Sequence, residues 1–120
     1  MIAIIGLGNM GMAMLSRLAH LGAPVIGWDL DPAKRAAAEG HGAAAPAELT
    51  QAVAKVVILS LPNEAAVTAV LAQLLPALPA GSVVVDTSTL APGAVRGFPR
   101  QAEAEGCAYL DAPVSGGPAG

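Results

Sequence analysis

The sequence predicts an α/β fold in which a mostly parallel sheet carries helices on both faces. Strand-like and helix-like segments alternate along the whole chain, and a glycine triplet joins the first strand to the first helix. Alternation of this kind is typical of parallel sheets, since each crossover between strands is made by a helix. One segment, 56–59, is a continuous β-branched run, as expected of a central strand buried on both faces. We therefore predict a doubly wound sheet of six strands in the order 3-2-1-4-5-6.

Each element has its own signal in the sequence. The predicted strands are residues 2–5, 25–28, 42–45, 56–59, 82–86 and 108–111. The predicted helices are residues 9–21, 32–39, 47–54, 63–75 and 92–105. Proline at, or directly before, the first residue of the range favours three of these helix starts. Asn63 can cap a fourth, and Gly22 and Gly40 are suitable stops.

Ligands of doubly wound sheets bind beyond the carboxyl ends of the strands, where the strand order reverses. The segments that directly follow the predicted strands hold most of the chain's glycine and small polar residues outside helices. These segments are residues 6–11, 29–31, 61–63, 87–89 and 112–117. We therefore expect the chemistry of the chain to lie along this one edge of the sheet.

Composition excludes several classes of protein. The 120 residues fit one domain spanning the chain. The net charge of -3 and the pI near 5.1 argue against nucleic-acid binding, because phosphate contacts need clustered Lys and Arg. The mean hydropathy is +0.60, yet no uncharged apolar run reaches the roughly 18 residues of a membrane span. One Cys and two distant His residues do not make a metal site. The lone Cys107 also excludes an internal disulfide and fits a reducing cytoplasm.

The chain is unusually apolar for its length. Only 12% of its residues are charged and 54% are hydrophobic, against roughly 25% charged in an average soluble domain. A chain of this size is expected to expose apolar surface, and such surface usually meets a partner or a further domain. We therefore predict self-association, most simply as a homo-oligomer.

The triplet Gly6-Leu7-Gly8-Asn9-Met10-Gly11 follows the first strand and opens the first helix. In a dinucleotide-binding turn, the first glycine permits a tight turn and the second lets a pyrophosphate approach bare backbone. The third lets the helix pack closely on the strand. Unpaired amides at the helix start would then hold the phosphates. The alternative is a structural glycine turn in some other α/β protein.

Asp29 ends the second predicted strand 18 residues after Gly11, close to the roughly 20-residue spacing of the acid that binds an adenosine ribose. Asp31 adds a second negative charge, and the first arginine after it is Arg35. A 2′-phosphate would meet repulsion there, so the sequence favours NAD over NADP. The alternative is that Asp29 is a turn or cap residue before Pro32.

Three further segments offer groups to the same edge. Leu61-Pro62 forms a rigid apolar turn beside the cofactor or simply ends a strand. The hydroxyls of Thr87, Ser88 and Thr89 either face the crevice or cap the following helix. The segment 115–117 has one hydroxyl and two glycine amides, which make either a carboxylate cradle or an ordinary loop.

Together these segments resemble the β-hydroxyacid dehydrogenase family, which includes 3-hydroxyisobutyrate dehydrogenase and tartronate semialdehyde reductase. The resemblance covers the whole chain, and its most specific part is Asp111-Ala112-Pro113-Val114-Ser115-Gly116-Gly117. It implies that the dinucleotide is contacted by Gly6, Leu7, Gly8, Asn9, Met10, Gly11, Asp29, Leu61, Pro62 and Thr89. It also implies that the substrate carboxylate, from a small hydroxy acid, is held by Ser115, Gly116 and Gly117. Members that use NADP tend to carry Asn-Arg-Thr or Asn-Arg-Ser in place of residues 29–31.

The resemblance also implies a reaction that this chain does not complete. Family members pass hydride between a 3-hydroxy acid and the nicotinamide, with a lysine as general acid/base. The resemblance places that lysine in a helix beyond residue 120, and it places the helical domain that closes the substrate site, and usually builds the dimer, outside this chain as well. Lys34 and Lys55 are the only lysines here, and both lie outside the family motifs and off the predicted ligand edge. We expect no catalytic residue in this chain and no turnover by it alone. The alternatives are a non-enzymatic NAD-binding module, or the cofactor domain of a 6-phosphogluconate dehydrogenase or imine reductase. The intact segment 115–117 argues against an imine substrate, which needs no carboxylate cradle.

Overall fold

The computed structural model describes residues 1–91, 93 and 97–113. Within these ranges a parallel sheet alternates with helices. The elements are β1 (Ile2–Ile5), α1 (Asn9–His20), β2 (Val25–Trp28), α2 (Pro32–Gly40), β3 (Val56–Leu59), α3 (Glu64–Leu74), β4 (Val83–Asp86), α4 (Phe98–Ala104) and β5 (Ala108–Asp111). The strand order is β2-β1-β3-β4-β5, and every neighbouring pair is parallel. The predicted α/β fold, with a parallel sheet between helices, is therefore confirmed.

The described sheet has five strands, so the prediction of six does not hold. The segment 42–45 forms only one isolated parallel bridge, between Ala44 and Ile26. It lies at the expected edge of the sheet, beside β2, and the other five strands keep their predicted order. A run of three alanines gives a strand little side-chain packing, and Pro46 directly afterwards has no N–H for a further rung of the ladder.

Two predicted helices are shorter than the sequence suggested. The helix expected at 47–54 is a single 3₁₀ turn, Leu49–Gln51, and the residue before it makes no side-chain cap. The helix expected at 92–105 begins at Phe98 in the described residues, and its predicted start at Pro92 lies outside them. α3 ends near its predicted position and continues into a 3₁₀ turn, Leu75–Ala77, which contains Pro76.

The sheet separates two apolar cores. On one face Ile5, Leu59 and Val84 pack with α3 and α4. On the other face, Ile4 packs with Leu15 and Ala38, from α1 and α2. Because side chains alternate along a strand, neighbouring residues of β1 serve opposite cores. This arrangement holds the ends of β1, β2 and β3 side by side.

α1 lies very close to β2, and a glycine permits this approach. A Cβ on Gly27 would overlap a methyl group of Leu15 and come close to the methyl group of Ala38, so a side chain at that position would require Leu15 to repack. The absence of a side chain at Gly27 thus lets Leu15 of α1 pack directly on β2. None of the helices within the described ranges is long and apolar enough to cross a bilayer.

Candidate functional site

A cavity of about 480 Å³ lies at the carboxyl ends of β1, β2 and β3. It brings together three of the predicted segments, namely the glycine turn, the residues after β2 and Leu61-Pro62. The far wall comes from α3 and from the buried Leu49. The strand order reverses between β1 and β3, where the predicted ligand edge lies.

The glycine turn needs two of its glycines for the backbone alone. Gly6 has φ of 99°, a left-handed conformation that favours glycine, and its N–H donates to the carbonyl oxygen of Trp28 at 2.9 Å. A Cβ on Gly6 would overlap the carbonyl oxygen of Ser60. A Cβ on Gly11 would overlap the carbonyl oxygen of Gly6. These two glycines therefore fix the tight turn and the close packing of α1.

Gly8 differs from them, because a Cβ there would meet no atom within 4 Å. It is exposed, lines the cavity and stands directly before α1, with no side chain capping the helix start. No steric constraint within the described residues therefore requires a glycine at position 8. Uncapped amides at a helix start attract anions, and open space above them is what a pyrophosphate requires.

Asp29 is half-buried and its carboxylate is already oriented. Oδ2 accepts the backbone N–H of Leu7 at 2.8 Å, and Oδ1 accepts the N–H of Asp31 at 2.9 Å. A carboxylate has about four acceptor positions, so both oxygens can still accept hydroxyl donors from a ribose. The bond to Leu7 joins the end of β2 to the glycine turn, a contact that the sequence did not indicate.

Asp31, and not Asp29, caps the next helix. Its carboxylate accepts the N–H of Ala33 at 2.9 Å, at the start of α2. The cap role considered for Asp29 thus belongs to its neighbour. The turn role is present, since Asp29 accepts the Asp31 N–H, and Asp29 also lines the cavity.

The two cations of α2 lie in different environments. The Arg35 guanidinium donates to the backbone carbonyl oxygens of Asp29 at 2.8 Å and Leu30 at 3.2 Å. Lys34 is exposed and lines the cavity. The expectation that Lys34 lies off the ligand edge is therefore wrong, because the first turn of α2 brings it back towards the end of β2.

The segment after β4 is tied to the end of β3. The Thr87 hydroxyl donates to the carbonyl oxygen of Leu59 at 2.7 Å. The Ser88 hydroxyl oxygen accepts the N–H of Leu61 at 2.9 Å. Neither hydroxyl caps α4, which begins only at Phe98. Thr89 is exposed and lines a second cavity of about 250 Å³, together with Ser88 and Asp111.

Asp86 and Tyr109 form a buried pair that sequence reasoning missed. The Tyr109 hydroxyl donates to Oδ2 of Asp86 at 2.6 Å, and the N–H of Ser88 donates to Oδ1 at 2.9 Å. Burial first, and then the hydrogen bond to Asp86, raise the pKa of the Tyr109 phenol far above its usual value. The phenol therefore remains a proton donor to the carboxylate.

The predicted carboxylate cradle of Ser115, Gly116 and Gly117 lies outside the described residues. Across residues 1–91, 93 and 97–113, no three His, Cys, Asp or Glu side chains gather into a group that could hold a metal ion.

The tight glycine turn, the open helix start and the oriented acid at the end of β2 together define a dinucleotide-binding domain of the Rossmann type. The family model described as the NAD binding domain of 6-phosphogluconate dehydrogenase matches residues 1–120. The chain belongs to this family of NAD-binding domains. The bare backbone at Gly8 and the free acceptor positions of Asp29 fit this cofactor.

Several hydroxyacid dehydrogenases are similar to the chain. A probable 3-hydroxyisobutyrate dehydrogenase of Mycobacterium tuberculosis (strain ATCC 25618 / H37Rv) is 38% identical over 118 residues, which cover 97% of this chain and 40% of that protein. A 2-(hydroxymethyl)glutarate dehydrogenase of Eubacterium barkeri is 39% identical over 125 residues, which cover 99% of this chain and 41% of that protein.

Solved structures of two kinds of enzyme are also similar to the chain. The Mycobacterium tuberculosis 3-hydroxyisobutyrate dehydrogenase with L-serine superposes with a TM-score of 0.91 at 38% identity, covering 97% of this chain and 40% of that chain. A Streptomyces aurantiacus imine reductase superposes with a TM-score of 0.81 at 32% identity, covering 90% of this chain and 38% of that chain. The chain thus spans about two fifths of the length of these relatives.

Proposed function

We propose that this chain is the cofactor-binding part of a dehydrogenase that transfers hydride between NAD and a small 3-hydroxy acid. The carboxylate of Asp29 is the observation that carries the proposal, since it is oriented by the glycine turn and faces the cavity. Bound NAD supplies the hydride acceptor, and the residues of the chain bind and orient it. The names of the similar dehydrogenases support the 3-hydroxy acid as the substrate class.

The proposed contacts divide along the cavity. The amides at Gly8, Asn9 and Met10 hold the pyrophosphate at the start of α1, with Gly6 and Gly11 shaping the turn and Leu7 supporting it. Asp29 accepts the hydroxyls of the adenosine ribose. The apolar wall of α3 takes the adenine, because apolar walls with few polar groups are typical of such pockets. Leu61, Pro62 and Thr89 then lie towards the nicotinamide.

We also propose that the site prefers NAD to NADP. Asp29 lines the cavity and Asp31 follows it at the start of α2, so a 2′-phosphate on the ribose would approach negative charge. The Arg35 guanidinium already bonds two backbone carbonyls. Lys34 is the one cation of the described residues that lines the larger cavity, and its single positive charge is outnumbered by the two acids at 29 and 31. Fluorescence titration with NADH and NADPH tests this preference, and tighter binding of NADPH would overturn it.

Substrate binding and proton transfer are assigned to residues that the described structure does not include. The cradle 115–117 is proposed to hold the substrate carboxylate, and a lysine beyond residue 120 to act as general acid/base. Lys34 does not fit that role, because it lies in the first turn of α2, shortly after the proposed ribose site at Asp29. Proton transfer by a positioned group contributes roughly 100- to 10,000-fold in rate. We expect the chain to bind NADH but to oxidise 3-hydroxyisobutyrate no faster than a protein-free control.

An imine reductase is the second candidate, favoured by the structural likeness to that class. The coding sequence after residue 120 distinguishes the two. A downstream helix carrying Lys and Asn supports the hydroxyacid dehydrogenase, whereas Asp or Tyr in place of that Lys supports the imine reductase. A stop codon there would support a binding module without enzymatic activity.

We further propose that the chain self-associates and acts in the cytoplasm. Leu110 of β5 is 54% exposed, and it pairs in register with the half-buried Val85 of β4. Apolar sheet surface of this kind favours contact with a second copy. Light scattering tests self-association, and a clean monomer at high concentration would contradict it. The single free Cys107 supports the cytoplasmic location, which cell fractionation tests.

A further inference from the structure

The two cavities are separated by the residues that follow β3 and β4. Leu61 lines the larger cavity, and Ser88 lines the smaller one. The two residues are joined directly, because the Leu61 N–H donates to the Ser88 hydroxyl oxygen at 2.9 Å. Whatever fixes Ser88 therefore fixes the wall between the cavities.

Ser88 is fixed by a buried carboxylate. Asp86 is fully buried and accepts the Ser88 N–H at 2.9 Å through Oδ1. Its Oδ2 accepts the Tyr109 hydroxyl at 2.6 Å. Both donors are neutral, and buried side-chain oxygens depend on such hydrogen bonds. The tyrosine hydroxyl on β5 is thus connected to the Leu61 amide through three consecutive hydrogen bonds.

The position of Tyr109 in the fold explains how its hydroxyl is directed at Asp86. Tyr109 lies opposite Val84 in the parallel register of β4 and β5, which brings its ring under the end of β4. Its ring is also packed against Phe98 of α4, with a centroid distance of 5.5 Å. The hydroxyl is therefore aimed at Asp86 by strand pairing on one side and ring packing on the other.

We propose that Tyr109 and Asp86 are positioning residues that hold Ser88, and through it Leu61, so that the nicotinamide half of NAD meets a fixed wall. This inference rests on the proposed function, in which the adenosine half lies at Asp29 and the nicotinamide half lies towards Leu61 and Thr89. Loss of the network should then weaken binding of the whole dinucleotide while leaving binding of its adenosine half unchanged.

The test uses three variants of the full chain. Tyr109→Phe removes the hydroxyl and keeps the ring, and Ser88→Ala removes the acceptor of the Leu61 amide. Cys107→Ala is the matched control, because Cys107 is buried next to β5 and its sulfur approaches only the carbonyls of Pro79 and Glu105 among the described residues. Hydrogen exchange of the Leu61 amide is followed by NMR, and the dissociation constants of NADH and ADP-ribose are measured by titration.

Tyr109→Phe and Ser88→Ala should each speed exchange at Leu61 and weaken NADH binding, both by about tenfold, with ADP-ribose binding unchanged. Cys107→Ala should keep the wild-type ratio of the two dissociation constants. Equal weakening of both ligands, or unchanged exchange at Leu61, would overturn the inference. If Tyr109→Phe does not fold, Ser88→Ala alone tests whether the network positions Leu61. Failure of the wild-type chain to bind either ligand would instead refute the proposed function.

Discussion

The backbone N–H of Leu7 donates to Oδ2 of Asp29 over 2.8 Å, so the glycine turn and the end of β2 form one hydrogen-bonded unit. Asp29→Ala removes this bond together with the proposed ribose contacts. Because hydrogen bonds to charged groups contribute about 1.5–3 kcal/mol, we expect NADH to bind roughly 10- to 100-fold more weakly, as measured by titration.

The control for that variant is Asp31→Ala. Asp31 caps α2 through the N–H of Ala33, and loss of such a cap costs about 1 kcal/mol of stability. NADH affinity should change much less than in Asp29→Ala. A comparable loss of affinity in both variants would contradict the assignment of the ribose to Asp29.

Gly8 and Gly11 provide a matched pair of substitutions. A Cβ on Gly11 would overlap the Gly6 carbonyl oxygen, whereas a Cβ on Gly8 would meet no atom within 4 Å. Gly11→Ala should therefore lower the free energy of unfolding by about 1–3 kcal/mol.

Gly8→Ala should unfold at nearly the wild-type temperature and still bind NADH more weakly, because the added methyl group occupies the path of the pyrophosphate. Thermal unfolding and NADH titration together check both outcomes. If Gly8→Ala binds NADH as tightly as the wild type, the proposed position of the pyrophosphate at this turn is wrong.

Trp28 should report occupancy of the larger cavity. It is the single tryptophan of the chain, it lines that cavity, and its indole N–H donates to the Ala47 carbonyl oxygen at 3.1 Å. Ligand in the cavity changes the hydration of the ring, so its emission should shift saturably with added ADP-ribose. Asp29→Ala should move the midpoint to higher concentration. An emission spectrum that stays constant at saturating ligand would place the adenosine half elsewhere.

Stability at alkaline pH should depend on Tyr109. Burial and the bond to Asp86 raise the pKa of its phenol above the ordinary value of about 10. Above that pH the unfolded chain releases the proton while the folded chain retains it, so the stabilising contribution is complete below about pH 10 and falls as the pH rises further. The free energy of unfolding should drop by up to about 1.4 kcal/mol per pH unit there. Urea unfolding at several alkaline pH values measures this slope, which Tyr109→Phe should reduce. Equal slopes in the two proteins would contradict the raised pKa.

The sequence predicted those features that depend on local spacing. Glycine at 6, 8 and 11, directly between a strand and a helix, was enough to place the turn, and the apolar runs placed five strands in their observed order. The segment 42–45 was overestimated because spacing alone does not show that its small side chains support only one bridge.

Contacts between distant strands could not be predicted in the same way. The bond from Tyr109 to Asp86 depends on the register of β4 and β5, which no local pattern specifies. The hydroxyls of Thr87 and Ser88 were placed near the crevice, but their partners on β3 become clear only from the folded chain. Lys34 was misplaced because its direction depends on how α2 starts after β2.

Arg35 shows that a count of nearby charges does not measure what a ligand encounters. Its guanidinium is bonded to the carbonyl oxygens of Asp29 and Leu30, and it therefore acts as a brace for the loop after β2. Substitutions that remove only Asp29 and Asp31, made so that the site accepts the 2′-phosphate of NADP, would leave Arg35 bonded to the backbone. Such a redesign has to supply a new cation while keeping the brace, which makes cofactor choice here a property of the loop as a whole.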